Sequence, residues 1–84
     1  MNQYKLQENL AISDSGFLFF PSTGETFTVN ELGKLIINNL QAEKSSVDII
    51  RHIIELFDID QQTAERDFED YLSQLKNYDL VTEL

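Results

Sequence analysis

Cysteine and tryptophan are absent from this chain of 84 residues, and histidine occurs once. Without cysteine the chain cannot form disulfide bonds, cysteine-based zinc or iron–sulfur sites, or a catalytic thiolate. His52 has no second histidine with which to form a metal site or a catalytic pair. Asp58, Asp60, Gln62 and Glu69 have the spacing of calcium-loop ligands. That loop requires glycine at its sixth position, where Thr63 stands. We therefore expect no metal, no cofactor and no catalytic residues.

Positive charge is also scarce. Lysine and arginine number 6 against 15 aspartates and glutamates, which gives a net charge of -9. Nucleic-acid binding depends on clustered cationic contacts with phosphate, and docking on anionic membranes depends on similar clusters. The charge balance therefore predicts that neither nucleic acid nor a membrane is a partner.

Long apolar runs are missing, since the longest is the four-residue run Phe17–Phe20. Residues 1–6 lack the apolar stretch of a secretory signal, so the predicted location is the cytoplasm. Hydrophobic residues still make up 42% of the chain and aromatic residues 11%, as is typical of a globular protein. The length predicts a single domain over residues 1–84.

The N-terminal third has the pattern of three strands. Apolar residues alternate over residues 4–12 at Tyr4, Leu6, Leu10 and Ile12. Residues 16–20 are apolar on both faces and predict a central strand, and residues 26–29 predict a third strand. A turn with Pro21 and Gly24 separates the last two. Short turns between strands indicate an antiparallel sheet.

The remainder has the apolar spacing of three helices. Their predicted N-caps are Asn30, then Ser45 or Ser46, then Asp60. The inner face of the second helix is predicted to consist of Val47, Ile50, Ile53, Ile54 and Phe57, which leaves His52 solvated on the opposite face. The third helix has its apolar stripe at Ala64, Phe68, Tyr71, Leu72 and Leu75. Asn77 is predicted to end this helix in a left-handed conformation, and the tail at Leu80 and Val81 to pack on the core. Three strands followed by three helices define an α+β fold.

Two surface features suggest binding. The third strand lies at a sheet edge, with no lysine or proline to prevent it from pairing with another chain. The edge is either covered by another part of the chain or available to an extended peptide. Acidic residues flank the apolar stripe of the third helix, Glu65 and Glu69 on one side and Asp67 and Asp70 on the other. They are either a solvated helix face or an electrostatic guide for a cationic partner.

Residues 16–33 contain an ordered set of motifs. An apolar strand is followed by the turn Pro21-Ser22-Thr23-Gly24, a second short strand and the helix start Asn30-Glu31-Leu32-Gly33. With the later segments Phe-Asp-Ile-Asp and Phe-Glu-Asp-Tyr-Leu, the chain resembles the PqqD-like family over about residues 5–82. The family often has glycine before its final apolar pair, whereas this chain has Asn77-Tyr78-Asp79.

The resemblance implies a winged-helix-like domain with a three-stranded antiparallel sheet and three helices. It implies a non-enzymatic peptide chaperone that binds the leader segment of a precursor peptide as an added strand. The chaperone then presents the precursor to a separate modifying enzyme, often a radical S-adenosylmethionine protein, in pyrroloquinoline quinone synthesis or another pathway. The implied peptide contacts are Thr26, Phe27, Thr28 and Val29 on the strand and Phe68, Tyr71, Leu72 and Leu75 on the third helix.

Two other functions remain open at this stage. A winged-helix transcription regulator has the same combination of a small sheet and three helices, but none of the predicted helices is basic. An acidic protein-interaction subunit that mimics nucleic acid would account for the net charge.

Overall fold

The computed structural model describes residues 3–21 and 23–84, so Ser22 of the predicted turn lies outside the described residues. These residues form eight elements in chain order. They are β1 (Tyr4–Leu6), β2 (Ala11–Ile12), β3 (Phe17–Phe20), β4 (Glu25–Thr28), α1 (Glu31–Gln41), α2 (Ser46–Phe57), α3 (Gln61–Asn77) and β5 (Val81–Glu83).

The principal sheet is antiparallel with strand order β2-β3-β4, so β4 is an edge strand. In the β3–β4 register Phe17 lies opposite Thr28 and Phe19 lies opposite Thr26. Gly24, at a φ of +76°, is in the turn before β4, and its N–H donates to the carbonyl of Phe20. The prediction of an α+β, winged-helix-like domain with a three-stranded antiparallel sheet and three helices is confirmed.

The prediction of one strand over residues 4–12 is wrong. A turn over residues 7–10, closed by the Leu10 N–H to the Gln7 carbonyl, divides this segment into β1 and β2. β1 is not part of the principal sheet. It pairs antiparallel with β5 in a separate two-stranded sheet, with Leu6 opposite Val81. Leu80 and Val81 are buried, so the tail does pack on the core, as a strand.

Side-chain hydrogen bonds cap the starts of α1 and α2. The Asn30 side chain accepts a hydrogen bond of 2.8 Å from the Gly33 N–H at the start of α1. Ser45 accepts one of 3.2 Å from the Asp48 N–H at the start of α2, and Asp60 is the N-cap residue of α3.

The end of α3 differs from the prediction. Asn77 is the last helical residue, and the left-handed residue is Asp79, at a φ of +59°. The Leu80 N–H donates to the Leu75 carbonyl and the Asp79 N–H donates to the Lys76 carbonyl. These two bonds form a Schellman motif, in which aspartate takes the place that glycine commonly occupies.

The core lies between the sheets and the three helices, and Phe68 of α3 is completely buried in it. The predicted inner face of α2 is partly wrong. Ile49 is completely buried, whereas Val47 and Phe57 are 46% and 39% exposed. His52 is half-buried, with Nδ1 2.7 Å from Oδ1 of Asn39 in α1, so it is not a free surface histidine.

The helices of the described part of the chain are too short or too polar to cross a membrane. Over the same residues, no group of three or more histidine, aspartate or glutamate side chains is placed to hold a metal ion.

Candidate functional site

The free edge of β4 presents unpaired backbone groups at alternate residues. On one side of β3, the Ser13 N–H donates to the Phe17 carbonyl at 2.8 Å, so the backbone groups of Phe17 face β2. At the other end of the ladder, the Val29 N–H donates to the Gly16 carbonyl at 2.8 Å. Because hydrogen-bonded and non-bonded pairs alternate in antiparallel strands, the N–H and carbonyl groups of Thr26 and Thr28 point away from β3.

A groove of about 360 Å³ runs between this edge and α3. It is lined by Leu18, Thr26, Phe27, Thr28, Val29, Tyr71, Gln74, Leu75, Tyr78 and Leu80. The rings of Phe27 and Tyr78 lie across it, with centroids 4.9 Å apart and planes tilted by 56°. An unpaired sheet edge therefore borders an aromatic and aliphatic groove.

The sequence-predicted contact residues divide into two groups. Thr26, Phe27, Thr28 and Val29 line the groove from the strand side, and Tyr71 and Leu75 line it from α3. Phe68 and Leu72 do not line it and lie in the core, where they are 0% and 1% exposed. Of the apolar stripe of α3, only Tyr71 and Leu75 line the groove, and the other residues of the stripe lie in the core.

Sequence reasoning missed Gln74 and Tyr78 as groove residues. Tyr78 lies seven residues after Tyr71, a spacing that returns to nearly the same helix face. The seven-residue spacing of the two tyrosines was the available signal.

The predicted acidic residues do not all border the groove. Asp67 is half-buried one turn before Tyr71, and Asp70 is exposed one turn before Gln74, so both are on the groove side of α3. Glu65 instead lines a separate cleft between α2 and α3. Glu69 is exposed, 160° around the helix from Tyr71 if each residue turns the helix by about 100°. Only the flank formed by Asp67 and Asp70 therefore lies on the groove side of α3.

Tyr71 is held against the first turn of α1. A Cβ atom added at Gly33 would lie 2.7 Å from Cζ of Tyr71, so glycine is required for this close approach. Burial raises the pKa of the Tyr71 phenol above its ordinary value of 10.0. The ring therefore contributes an uncharged surface to the groove at neutral pH.

We expect Gly33→Ala to displace the Tyr71 ring without unfolding the domain. The clash is with the far end of one side chain, and alanine favours a helix over glycine by ~0.5–1 kcal/mol. The melting temperature should change little, while the NMR resonances of Tyr71 and its groove neighbours should shift. The control is Gly33→Ala in a Tyr71→Ala background, where those groove shifts should disappear. A large loss of stability in both backgrounds would contradict this assignment of the role of Gly33.

Fold and site together define a class of protein: a small α+β domain with an open sheet edge beside an apolar groove. The chain belongs to the family described as Coenzyme PQQ synthesis protein D (PqqD), whose model matches residues 16–81. This match confirms the resemblance found in the sequence motifs.

Two solved structures are similar over almost their whole length. One is TbiB1 in complex with the TbiA(beta) leader peptide, at 29% identity and a TM-score of 0.81, covering 92% of this chain and 93% of that chain. The other is lasso peptide synthetase B1 complexed with the leader peptide, at 22% identity and a TM-score of 0.80, covering 94% and 96%. At this lower identity the second likeness supports the fold alone. No curated protein sequence matches the chain.

Proposed function

We propose that this chain binds the leader segment of a precursor peptide and presents the precursor to a separate modifying enzyme. Membership of the PqqD family supports this function, as does the similarity to TbiB1, whose structure contains a leader peptide. The observation that carries the proposal is the unpaired edge at Thr26 and Thr28 beside the apolar groove.

The bound leader forms an added strand next to β4. Its backbone exchanges hydrogen bonds with Thr26 and Thr28, whose N–H and carbonyl groups are directed outward. Main-chain bonds of this kind provide affinity without selecting a sequence. Selectivity comes from alternate leader side chains, which enter the groove between Phe27, Tyr71 and Tyr78. Phe68 and Leu72 pack α3 onto the core and do not contact the leader.

The domain, taken as residues 1–84, acts as an adaptor in this proposal. It holds the leader, while the chemistry belongs to the partner enzyme, such as a radical S-adenosylmethionine protein of the cytoplasm. A separate enzyme can modify the rest of the precursor because the leader alone occupies the strand edge. Proximity of this kind raises the effective concentration of substrate at the enzyme.

Amide hydrogen exchange tests the proposed binding mode at single residues. The probes are synthetic peptides for the N-terminal segments of short reading frames that neighbour the gene for this chain, and the one that binds is taken as the encoded leader. Binding should slow exchange at the Thr26 and Thr28 amides, which are free in the unbound domain. The Phe27 and Val29 amides should change less, because they already face β3. Protection confined to α2, with β4 unaffected, would contradict strand addition, and absence of binding would contradict the proposed function.

A further inference from the structure

Two contacts fix how α3 lies along β4 and give the groove a direction. At one end, the Phe27 ring packs on Tyr78. At the other end, Tyr71 packs against Gly33, which follows Val29 by four residues. β4 therefore runs from Tyr78 toward Tyr71, opposite to the direction of α3.

A carboxylate lies beyond each end of the residues that line this groove. Glu25 precedes Phe27 by two residues in β4, so it is on the same sheet face about 7 Å along the strand. Asp67 precedes Tyr71 by one turn of α3, about 6 Å along the helix axis. Within residues 3–21 and 23–84, neither carboxylate forms an ion pair. The groove is lined by aromatic, aliphatic and uncharged polar side chains, and the two carboxylates lie beyond its ends.

The lysine and arginine side chains lie outside the groove lining. The chain has 6 lysines and arginines, and none of them lines the groove. Lys34 pairs with Glu31 at 3.6 Å, and Lys76 pairs with Glu83 at 3.7 Å. No cation of the described residues in the groove lining neutralises Glu25 or Asp67, so both carboxylates are available to a bound peptide.

From this distribution of charge we infer that the groove selects an extended peptide in which Lys or Arg flanks an apolar residue on both sides. The inference rests on the proposed function and deepens it by naming the substrate class. In an added strand, the residue opposite Phe27 points to the same face and enters the groove. The residue two positions away, on the same face, lies opposite Glu25. Opposite charges facing each other across two strands stabilise their pairing.

The second flanking position points toward the Asp67 end of the groove. Asp67 lies eleven residues before Tyr78 in α3, about 16 Å along the helix axis, whereas a strand advances about 3.3 Å per residue. One basic residue is therefore expected two positions from the apolar residue, opposite Glu25, and the other four positions away on the Asp67 side, from where its long side chain reaches toward Asp67. Charges at the rim of a binding site accelerate association more than they slow dissociation. Raising the salt concentration should consequently reduce the association rate constant more than it raises the dissociation rate constant.

Three fluorescein-labelled peptides test this inference. The first is Thr-Lys-Thr-Lys-Thr-Leu-Thr-Lys-Thr-Lys-Thr, in which lysine stands two and four positions from the leucine on each side, so that either strand direction places lysines toward both carboxylates. The other two carry glutamine or glutamate in place of every lysine. Fluorescence anisotropy at low salt should show the lysine peptide binding about threefold or more tightly than the glutamine peptide. The glutamate peptide should bind more weakly than either.

Charge reversal in the protein provides a matched control. Glu25→Lys combined with Asp67→Lys should reverse the order of the three peptides. Glu55→Lys combined with Glu69→Lys changes the net charge equally at exposed positions away from the groove lining and should keep the order. If the Asp67→Lys variant does not fold, Glu25→Lys combined with Asp67→Asn should remove the preference.

Two results would overturn the inference. Equal affinity for the three peptides would show that the groove does not select charge, and the proposed function would still stand on protection of Thr26 and Thr28 by the leader. Absence of binding by all three at millimolar concentration would overturn the inference as well. The proposed function itself fails only if the encoded leader does not bind.

Discussion

Replacing Phe68 by alanine is expected to lower the free energy of unfolding by about 3–5 kcal/mol. The side chain is completely buried, and its ring makes an edge-to-face contact with Tyr4 at a centroid distance of 6.4 Å. Truncation removes this contact and leaves a cavity where α3 meets β1. Small domains have total stabilities of roughly 5–15 kcal/mol, so the loss is a large fraction of the whole.

Chemical denaturation followed by circular dichroism measures this effect. The matched control is Glu69→Ala, one residue away on the exposed face of α3, which should change stability by less than about 0.5 kcal/mol. A change below about 1 kcal/mol for Phe68→Ala would contradict the placement of this ring in the core.

Replacing Thr28 by proline is expected to weaken leader binding while the domain remains folded. Proline removes the outward-facing N–H of Thr28, which no β3 carbonyl accepts. The net value of one hydrogen bond is ~0.5–1.5 kcal/mol, so the dissociation constant should rise by at least about two- to tenfold. The proline ring also occupies space beside the edge, which adds to the loss.

Titration calorimetry with the encoded leader measures this change, and thermal melting reports on the fold. Thr28→Val keeps the N–H and the shape of the side chain, so its affinity should stay close to that of the unchanged chain. Unfolding of Thr28→Pro would show that the Thr28 N–H faces β3. Unchanged affinity in a folded variant would show that the leader does not pair with this edge.

Local patterns predicted much of the fold. Asn30 and Ser45 are N-caps as expected, because a capping side chain bonds to a backbone N–H only three residues away. Phe68 and Leu75 are buried as expected, because the stripe of α3 repeats over several turns. The edge position of residues 26–29 followed from the order of strands joined by short turns.

Other predictions failed where distant parts of the chain compete for the same residues. The alternation over residues 4–12 does not show that Leu6 pairs with Val81, which lies 75 positions later in the sequence. Val47 and Phe57 have suitable spacing for the core but remain exposed, whereas Ile49 is completely buried in the core. Either set of residues would make α2 amphipathic, and only packing against the rest of the domain determines which set is buried.

The sequence by itself determined the charge, the three helices, the antiparallel strands and the resemblance to the PqqD family. Each of these depends on composition or on neighbours within a few residues. The tertiary structure alone decided that Phe27 meets Tyr78, that Gly33 makes room for Tyr71, and that Glu65 lines the cleft between α2 and α3 and not the groove. These features depend on the position of α3 relative to β4, which burial of Phe68 and Leu72 in a shared core fixes and which no local pattern specifies.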